Sequence, residues 1–408
     1  MPQYETIMRY QGSKTKILFG IIPALCLFLA LQVTAMADGP QNKQAEEAIQ
    51  SDDLDSVILH LKWYHQFQFA GYYAAVEKGY FRESGFDVTL VEGRPGRNAI
   101  DEVLAGRAQY GVSNVDVLLN RLKGKPVVVL AAIFQHSPFI LLSLKNSGIA
   151  TPQDLIGRRV MLMKGVNNAE VLAMLHNEGI SMGQIRKIDT TFDINDLIDG
   201  KTDVFNAYIT NEPYFLEKQG IPFSIIRPVT YGIDFYGDCL FAAEREVKDN
   251  PGRVKKFREA SLRGWEYAMQ HPEEIIDVIL NKYGSKKTRE HLRFEAKEMR
   301  NLIMPELMEM GHMNPGRWRH IADTLVQFEM ADPEYFLKGF IYDPDPKPDY
   351  TWVRWIVGAA LSISLLVGLS AVVLLIINRR FQREVNERRQ AEAELVEYRD
   401  HLEEMVEG

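Results

Sequence analysis

Hydrophobic and polar positions in the first two thirds of the chain switch repeatedly between a period of two and helical spacing. SVILHLKW (56–63) reads as a strand from its alternating and β-branched residues, and a helix follows over about 70–84, closed by Gly85. FDVTLVEG alternates as a second strand, GRPGRN turns the chain, and NAIDEVLAG is a short helix ended by Gly106. AQYGVSN, VDVLLNRLKG and PVVVLAAIF then read as strand, helix and fully apolar strand. That alternation predicts a parallel α/β layer.

The cycle restarts after a hinge-like stretch. SPFILLSLKNSGI holds a strand, and TPQDLIG is a short helix with Thr151 as N-cap and Pro152 at its first position. RRVMLMKG, RKIDTTFD and TDVFNAYIT read as strands, separated by the helical stretches NNAEVLAMLHNEGI and INDLIDGK. A short strand near 223–227 precedes long helices expected over 247–283, 285–303 and 314–331. The prediction is a two-lobed α/β domain over 56–352. Lobe 1 takes about 56–140 plus 230–262, lobe 2 about 141–229, and closing helices cover 247–340. Ligands of open α/β sheets sit outside the carboxyl ends of the strands.

Two apolar runs flank this body. ILFGIIPALCLFLALQVTAMA (17–37) comes after Arg9, Lys14 and Lys16 and ends at Ala35-Met36-Ala37, so residues 1–37 read as a signal peptide or an uncleaved anchor. Either way the large central body is exported, and 38–55 is a polar linker leading into it. Trp355 to Ile377 holds 23 residues without a charge, enough to cross a hydrocarbon layer of ~30 Å. Arg379, Arg380 and Arg383 come next, which orients residues from 378 onward to the cytoplasm of an inner-membrane protein. In the tail (378–408), Val385, Arg388, Ala391, Leu395, Tyr398, Leu402 and Met405 trace a loose heptad. It predicts a parallel coiled-coil stub and a homodimer, with a solvated single helix as the alternative. The sequence carries no catalytic module after the tail, so an ABC permease or a separate signalling protein is the expected partner.

A net charge of −8 and a pI near 5.7 argue against a nucleic-acid partner. Of the two cysteines, Cys26 lies in the first apolar run, which leaves Cys239 alone in the globular part. P-loop, nucleophile-elbow, HExxH and paired-cysteine metal signatures are all missing from the sequence. GRPGRN reads as a plain turn, with anion binding on its N–H groups as the alternative. What stands out is WYHQFQFAGYYAAVEKGYF (63–81), with eight aromatic rings in nineteen residues and amide and imidazole groups between them. It leaves the first strand at its carboxyl end. His65 lies inside it, and His136 ends the apolar strand of lobe 1, so both are candidate ligand contacts.

LKWYHQFQFAGYYAAVEKGYFRESGFDVTLVEG, together with VLAGRAQYGVSN, GKPVVVLAAIFQHSPF and DLIGRRV, resembles the thiamine-pyrimidine-precursor group of periplasmic-binding-protein-like folds, over about 56–280. That group includes solute-binding proteins for aminopyrimidines and the fungal pyrimidine synthase. HQFQFAGYYAA looks most like members attached to membrane-bound sensors. The resemblance implies a type II periplasmic-binding fold, two lobes closing on a small heteroaromatic solute, and a role in thiamine biosynthesis or salvage. In the synthase a histidine of the protein and pyridoxal phosphate become the product. Here that histidine position falls on Asp116, and the synthase's cysteine cluster is reduced to Cys239 in FYGDCLF. Export also separates the chain from a cytosolic cofactor. Binding without a cofactor or metal is therefore the expectation.

An aminopyrimidine needs ring neighbours and hydrogen-bonding edges in a dry cleft. Trp63, Tyr72 and Tyr236 are the expected stacking rings, and Glu212 the acceptor for an amino group. Gln66, Gln68, Asn114 and His65 would complete the edge. Gly165, Asn167 and Asn168, opening a helix, would hold a polar or anionic substituent. Phe69 and Tyr73 are expected in the core.

Overall fold

The computed structural model describes residues 54–94, 96–163, 168–346 and 350–407. The leader or anchor and most of the expected linker lie outside them. The strands are β1 (Asp55–His60), β2 (Phe86–Val91), β3 (Tyr110–Ser113), β4 (Val127–Ala132), β5 (Phe139–Leu144), β6 (Arg159–Leu162), β7 (Arg186–Asp189), β8 (Val204–Tyr208), β9 (Phe223–Ile226) and β10 (Cys239–Ala243). The helices of the first half are α1 (Ala70–Glu77), α2 (Tyr80–Glu83), α3 (Ala99–Leu104), α4 (Asp116–Leu122), α5 (Ala169–Asn177), α6 (Asn195–Ile198) and α7 (Glu212–Lys218). After them come α8 (Glu244–Asp249), α9 (Pro251–Gln270), α10 (Pro272–Lys282), α11 (Arg289–Ile303), α12 (Pro315–Gln327) and α13 (Thr351–Glu407).

Two sheets form, in the orders β2-β1-β3-β10-β4 and β7-β6-β8-β5-β9. The two orders coincide when lobe 1 is counted from β10, because the fourth position belongs to the strand by which the chain crosses over from the other lobe: β5 on entering lobe 2 and β10 on returning to lobe 1. This entering strand runs antiparallel to both neighbours: β10 against β3 and β4, β5 against β8 and β9. The sequence reading anticipated purely parallel layers and assigned no strand at CLFAA. An entering strand has no crossover helix behind it, so the βαβ pattern that marks the others is missing. The type II periplasmic-binding architecture implied by the resemblance is the one observed.

The two crossing segments, 133–138 and 227–238, run side by side. Ile133 N donates to Asp238 O at 2.8 Å and Gly237 N to Phe134 O at 3.0 Å. His136 Nδ1 lies 2.8 Å from Asp234 Oδ1, and Arg317 on α12 pairs with the same oxygen at 2.9 Å.

The helix expected over 247–283 is three helices, α8, α9 and α10. Pro251 and Pro272 each open a new one, because proline has no N–H to continue the ladder. Likewise the expected helix 70–84 breaks at Gly79, whose φ is 78°. α9 packs against α1 through two facing glycines. A Cβ on Gly264 would stand 2.1 Å from Gly71 O and 2.7 Å from Ala75 Cβ, and one on Gly71 would strike the Trp265 ring. The backbones therefore touch, and this contact fixes the aromatic segment beneath the cleft.

Residues through Phe340 form one compact unit and residues from Ile341 another. In the second, α13 carries the apolar run 355–377, long and apolar enough to cross a bilayer, and continues without a break into the tail. Leu395, Tyr398, Leu402 and Met405 are exposed along it.

Gly264→Ala should destabilise the folded chain by about 2–3 kcal/mol or more, as overpacking of a rigid contact does. Urea unfolding monitored by circular dichroism measures it, and an unchanged midpoint would contradict the backbone contact.

Candidate functional site

Carboxyl ends of the parallel strands in both sheets point into the space between the lobes, and the antiparallel β10 delivers its first residues to the same edge. Lys62 and Trp63 lie just past β1, Asp116 opens α4 after β3, and Asp238 immediately precedes β10. From lobe 2 come Tyr208 at the end of β8, Glu170 in the first turn of α5, and Phe192 after β7. Gly93 makes the Trp63 turn feasible: its N–H donates to Trp63 O at 3.1 Å, and a Cβ there would sit 2.3 Å from the Lys62 carbonyl carbon.

Lys62 is the centre of the polar network. Its Nζ donates to Asp238 Oδ1 and to Tyr208 OH, both at 2.8 Å, and so joins the first strand of lobe 1, a crossing segment and lobe 2. Gln68 Nε2 donates to the second Asp238 oxygen at 2.7 Å, and Gln66 donates in turn to Gln68. Burial alone would lower the Lys62 pKa, but Asp238 and then Tyr208 hold it above its ordinary value. Burial pushes the Tyr208 hydroxyl up to about 12, with Lys62 opposing.

Two aromatic rings meet across the gap. The Trp63 and Phe192 centroids are 5.4 Å apart at an interplanar angle of 47°. Phe192 is 47% exposed and has φ of 61°, a left-handed backbone that bulky side chains rarely adopt. Strain of this kind concentrates at ligand clamps. A second contact between the lobes lies at α11, where Tyr214 of α7 stacks on His291 at 4.2 Å. Beside it Lys287 bonds both Asn211 and Glu295, and Glu295 accepts from Phe67 N at 2.9 Å.

The residues expected from the sequence divide. Trp63 belongs to the ring pair, and Gln66 and Gln68 to the network around Lys62. Asn114 is spoken for locally, its Oδ1 accepting from Asp116 N at 3.0 Å. Asn168 donates to Met163 O at the start of α5, while Gly165 and Asn167 lie outside the described residues. His65 bonds Tyr73 OH at 2.8 Å and packs on Tyr283, away from Lys62. His136 serves the crossing segments. Three expectations need correction. Tyr72 is fully buried with its ring edge-on to Trp265, so it presents no face for stacking. Tyr236 has Trp318 at 4.8 Å and the Arg317 guanidinium over its ring at 4.2 Å, so the protein itself occupies the ring's surroundings. Glu212 accepts from Tyr208 N at 2.7 Å and from Asn211 Nδ2 at 2.5 Å, so its oxygens brace the loop before α7. As expected, Phe69 and Tyr73 are core.

Sequence reasoning missed Lys62, Phe192, Tyr208 and Asp238 and gave Glu170 no role. The available signal was position, since each lies at or just beyond a strand end on the cleft side.

Two buried carboxyls complete the site. Burial raises Asp116 to about 6, with Lys62 opposing. Burial raises Glu170 from 4.5 to about 8, with the neighbouring Ser137 hydroxyl opposing and Asp116 adding to the rise. Among the described residues no cluster of three or more His, Cys, Asp or Glu is arranged to hold a metal.

Lys62→Met would leave Asp238 buried without its cation and should cost about 3–5 kcal/mol in a urea titration. Between about 4.5 and about 8 the folded chain keeps a proton on Glu170 that the unfolded chain has released. This group therefore makes stability fall as pH rises through that window. Glu170→Gln should then raise the melting temperature relative to the parent at pH 8 and leave it nearly unchanged near pH 4. Parallel pH profiles for the two proteins would count against a buried acid.

The family described as "NMT1/THI5 like" matches residues 66–275. A formylaminopyrimidine-binding protein of Halalkalibacterium halodurans is 28% identical over 292 residues, 69% of this chain and 88% of that one. A riboflavin-binding protein, RibY, of Chloroflexus aurantiacus is 28% identical over 56% of this chain and 66% of its own length. Among solved structures, the periplasmic aliphatic sulphonate binding protein SsuA of Escherichia coli superposes with a TM-score of 0.57 at 14% identity, covering 72% of this chain and 94% of SsuA. That last likeness is one of fold.

Proposed function

Because this chain belongs to the NMT1/THI5-like family, we propose that its lobes close on a small, flat nitrogen heteroaromatic, a thiamine pyrimidine precursor foremost. The observation that carries this reading is the Trp63–Phe192 pair, one ring from each lobe, beside a buried polar set. An offset stack on such rings contributes about 0.5–1.5 kcal/mol beyond buried area. Electrostatics narrow the ligand further. Lys62 is matched by Asp238, and Asp116 and Glu170 add only acidic character, so these cleft residues offer no unmatched cation to a sulfonate or nitrate. A neutral or protonated amino-substituted ring suits them.

The same reading makes the protein a membrane-anchored, extracytoplasmic receptor without bond-making chemistry. Asp116 stands where the synthase-like register requires a histidine donor, and Cys239, raised in pKa by burial, is an unreactive core thiol. The unbroken course of α13 from Thr351 to Glu407 supports sensing, with lobe closure passed along one helix to its heptad-bearing end.

Isothermal calorimetry on the detergent-solubilised full chain tests the ligand. A panel of 4-aminopyrimidines, riboflavin and alkanesulfonates should give heat with an aminopyrimidine and none with a sulfonate. Trp63→Ala should weaken that binding by about tenfold. Binding of the sulfonate alone, or of nothing, would overturn the reading.

A further inference from the structure

Lobe 2 holds two buried polar residues that the network around Lys62 leaves unused. Asn206 is 4% exposed and Glu170 3%. Among the described residues, neither amide atom of Asn206 has a hydrogen-bond partner, and Glu170 Oε1 has none. Asn206 stands on β8 two residues before Tyr208, so both side chains leave the same sheet face. Tyr208 uses that face to reach Lys62. β6 lies parallel alongside β8, and the next described helix in the chain, α5, carries Glu170 in its first turn. Glu170 and Tyr208 sense each other's charge, as do Glu170, Lys62 and Asp116. Glu170 thus stands beside the Lys62–Tyr208 contact, and Asn206 lies one pleat back from it on the Tyr208 face of β8.

A buried amide without a partner opposes folding, and an apolar residue of the same shape in its place is neutral or stabilising. The ligand-free chain gains nothing from Asn206. Its partner is best sought outside the chain.

We infer that Asn206 and Glu170 read the polar edge of the bound ring: the Asn206 amide takes an exocyclic N–H on its oxygen and donates to the adjacent ring nitrogen, and Glu170 Oε1 accepts a further N–H. Asparagine grips the amino and ring-nitrogen edge of adenine with the same donor–acceptor pair. The inference rests on the reading that the cleft takes a nitrogen heteroaromatic, and it names which residues choose among such rings. A sulfonate, with acceptors only, would satisfy the amide N–H and leave both oxygens unmet.

The test compares the full chain with Asn206→Leu and Glu170→Leu, which remove the acceptors outright, measuring the ligand-free melting temperature at pH 7 and calorimetric affinity for 4-amino-2-methylpyrimidine and for 2-methylpyrimidine, which lacks the amine. Both variants should melt at or above the parent's temperature, lose about tenfold or more in affinity for the amino compound, and lose preference for it over the other. Parent-like affinity and preference in the variants, with the parent binding normally, would overturn this inference alone and leave the proposed function standing. A lower ligand-free melting temperature in both would assign the side chains to the core and overturn it equally. If the parent binds neither compound, both readings fall.

Discussion

A single buried ammonium ties this molecule together. Lys62 sits where the first strand of lobe 1 ends, and its two bonds run to a crossing segment through Asp238 and to lobe 2 through Tyr208. The side chains of Lys62 and Asp238 are 16% and 1% exposed, so the pair operates away from bulk water. In that setting a pair adds little over a hydrophobic substitute, yet loss of one partner is heavily penalised. The arrangement thus specifies geometry more than it adds stability. It sets how the lobes meet and leaves Lys62 with no free positive charge to offer the gap.

Around that fixed point the structure separates rigid from adjustable parts. α1 and α9 meet backbone to backbone through Gly71 and Gly264, which anchors the aromatic segment. The crossing segments are bonded to each other and braced by Asp234 between His136 and Arg317. Contacts made between the lobes are of another kind: rings at Trp63–Phe192 and Tyr214–His291, and bonds from the flexible side chain of Lys287. Ring contacts and long side chains separate without breaking any backbone ladder, which is what a closing cleft requires.

The aromatic stretch that dominates the sequence has a divided role. Phe67, Phe69, Tyr72 and Tyr73 are fully buried and build the floor of the cleft, whereas Trp63 and the half-exposed Tyr64 face outward from it. Local crowding of rings therefore marks the neighbourhood of the site more reliably than any one ring in it.

The sequence by itself determined the mixed α/β fold class, most strands and the apolar helix near the end. Each of these arises from local periodicity, capping and length, which neighbours in the chain express directly. It also put WYHQFQF just beyond the carboxyl end of the first strand, which is where it lies. The entering strand CLFAA escaped it, since an antiparallel strand in mid-sheet is defined by partners more than a hundred residues away. So did the partnerships of the site. Nothing local to Glu212 tells that its oxygens are occupied by Tyr208 and Asn211, or to Tyr236 that Trp318 and Arg317 surround its ring. Lys62 pairs with Asp238 across 176 positions. Hydrogen-bond satisfaction depends on which atoms meet in space, and only the tertiary structure decides that.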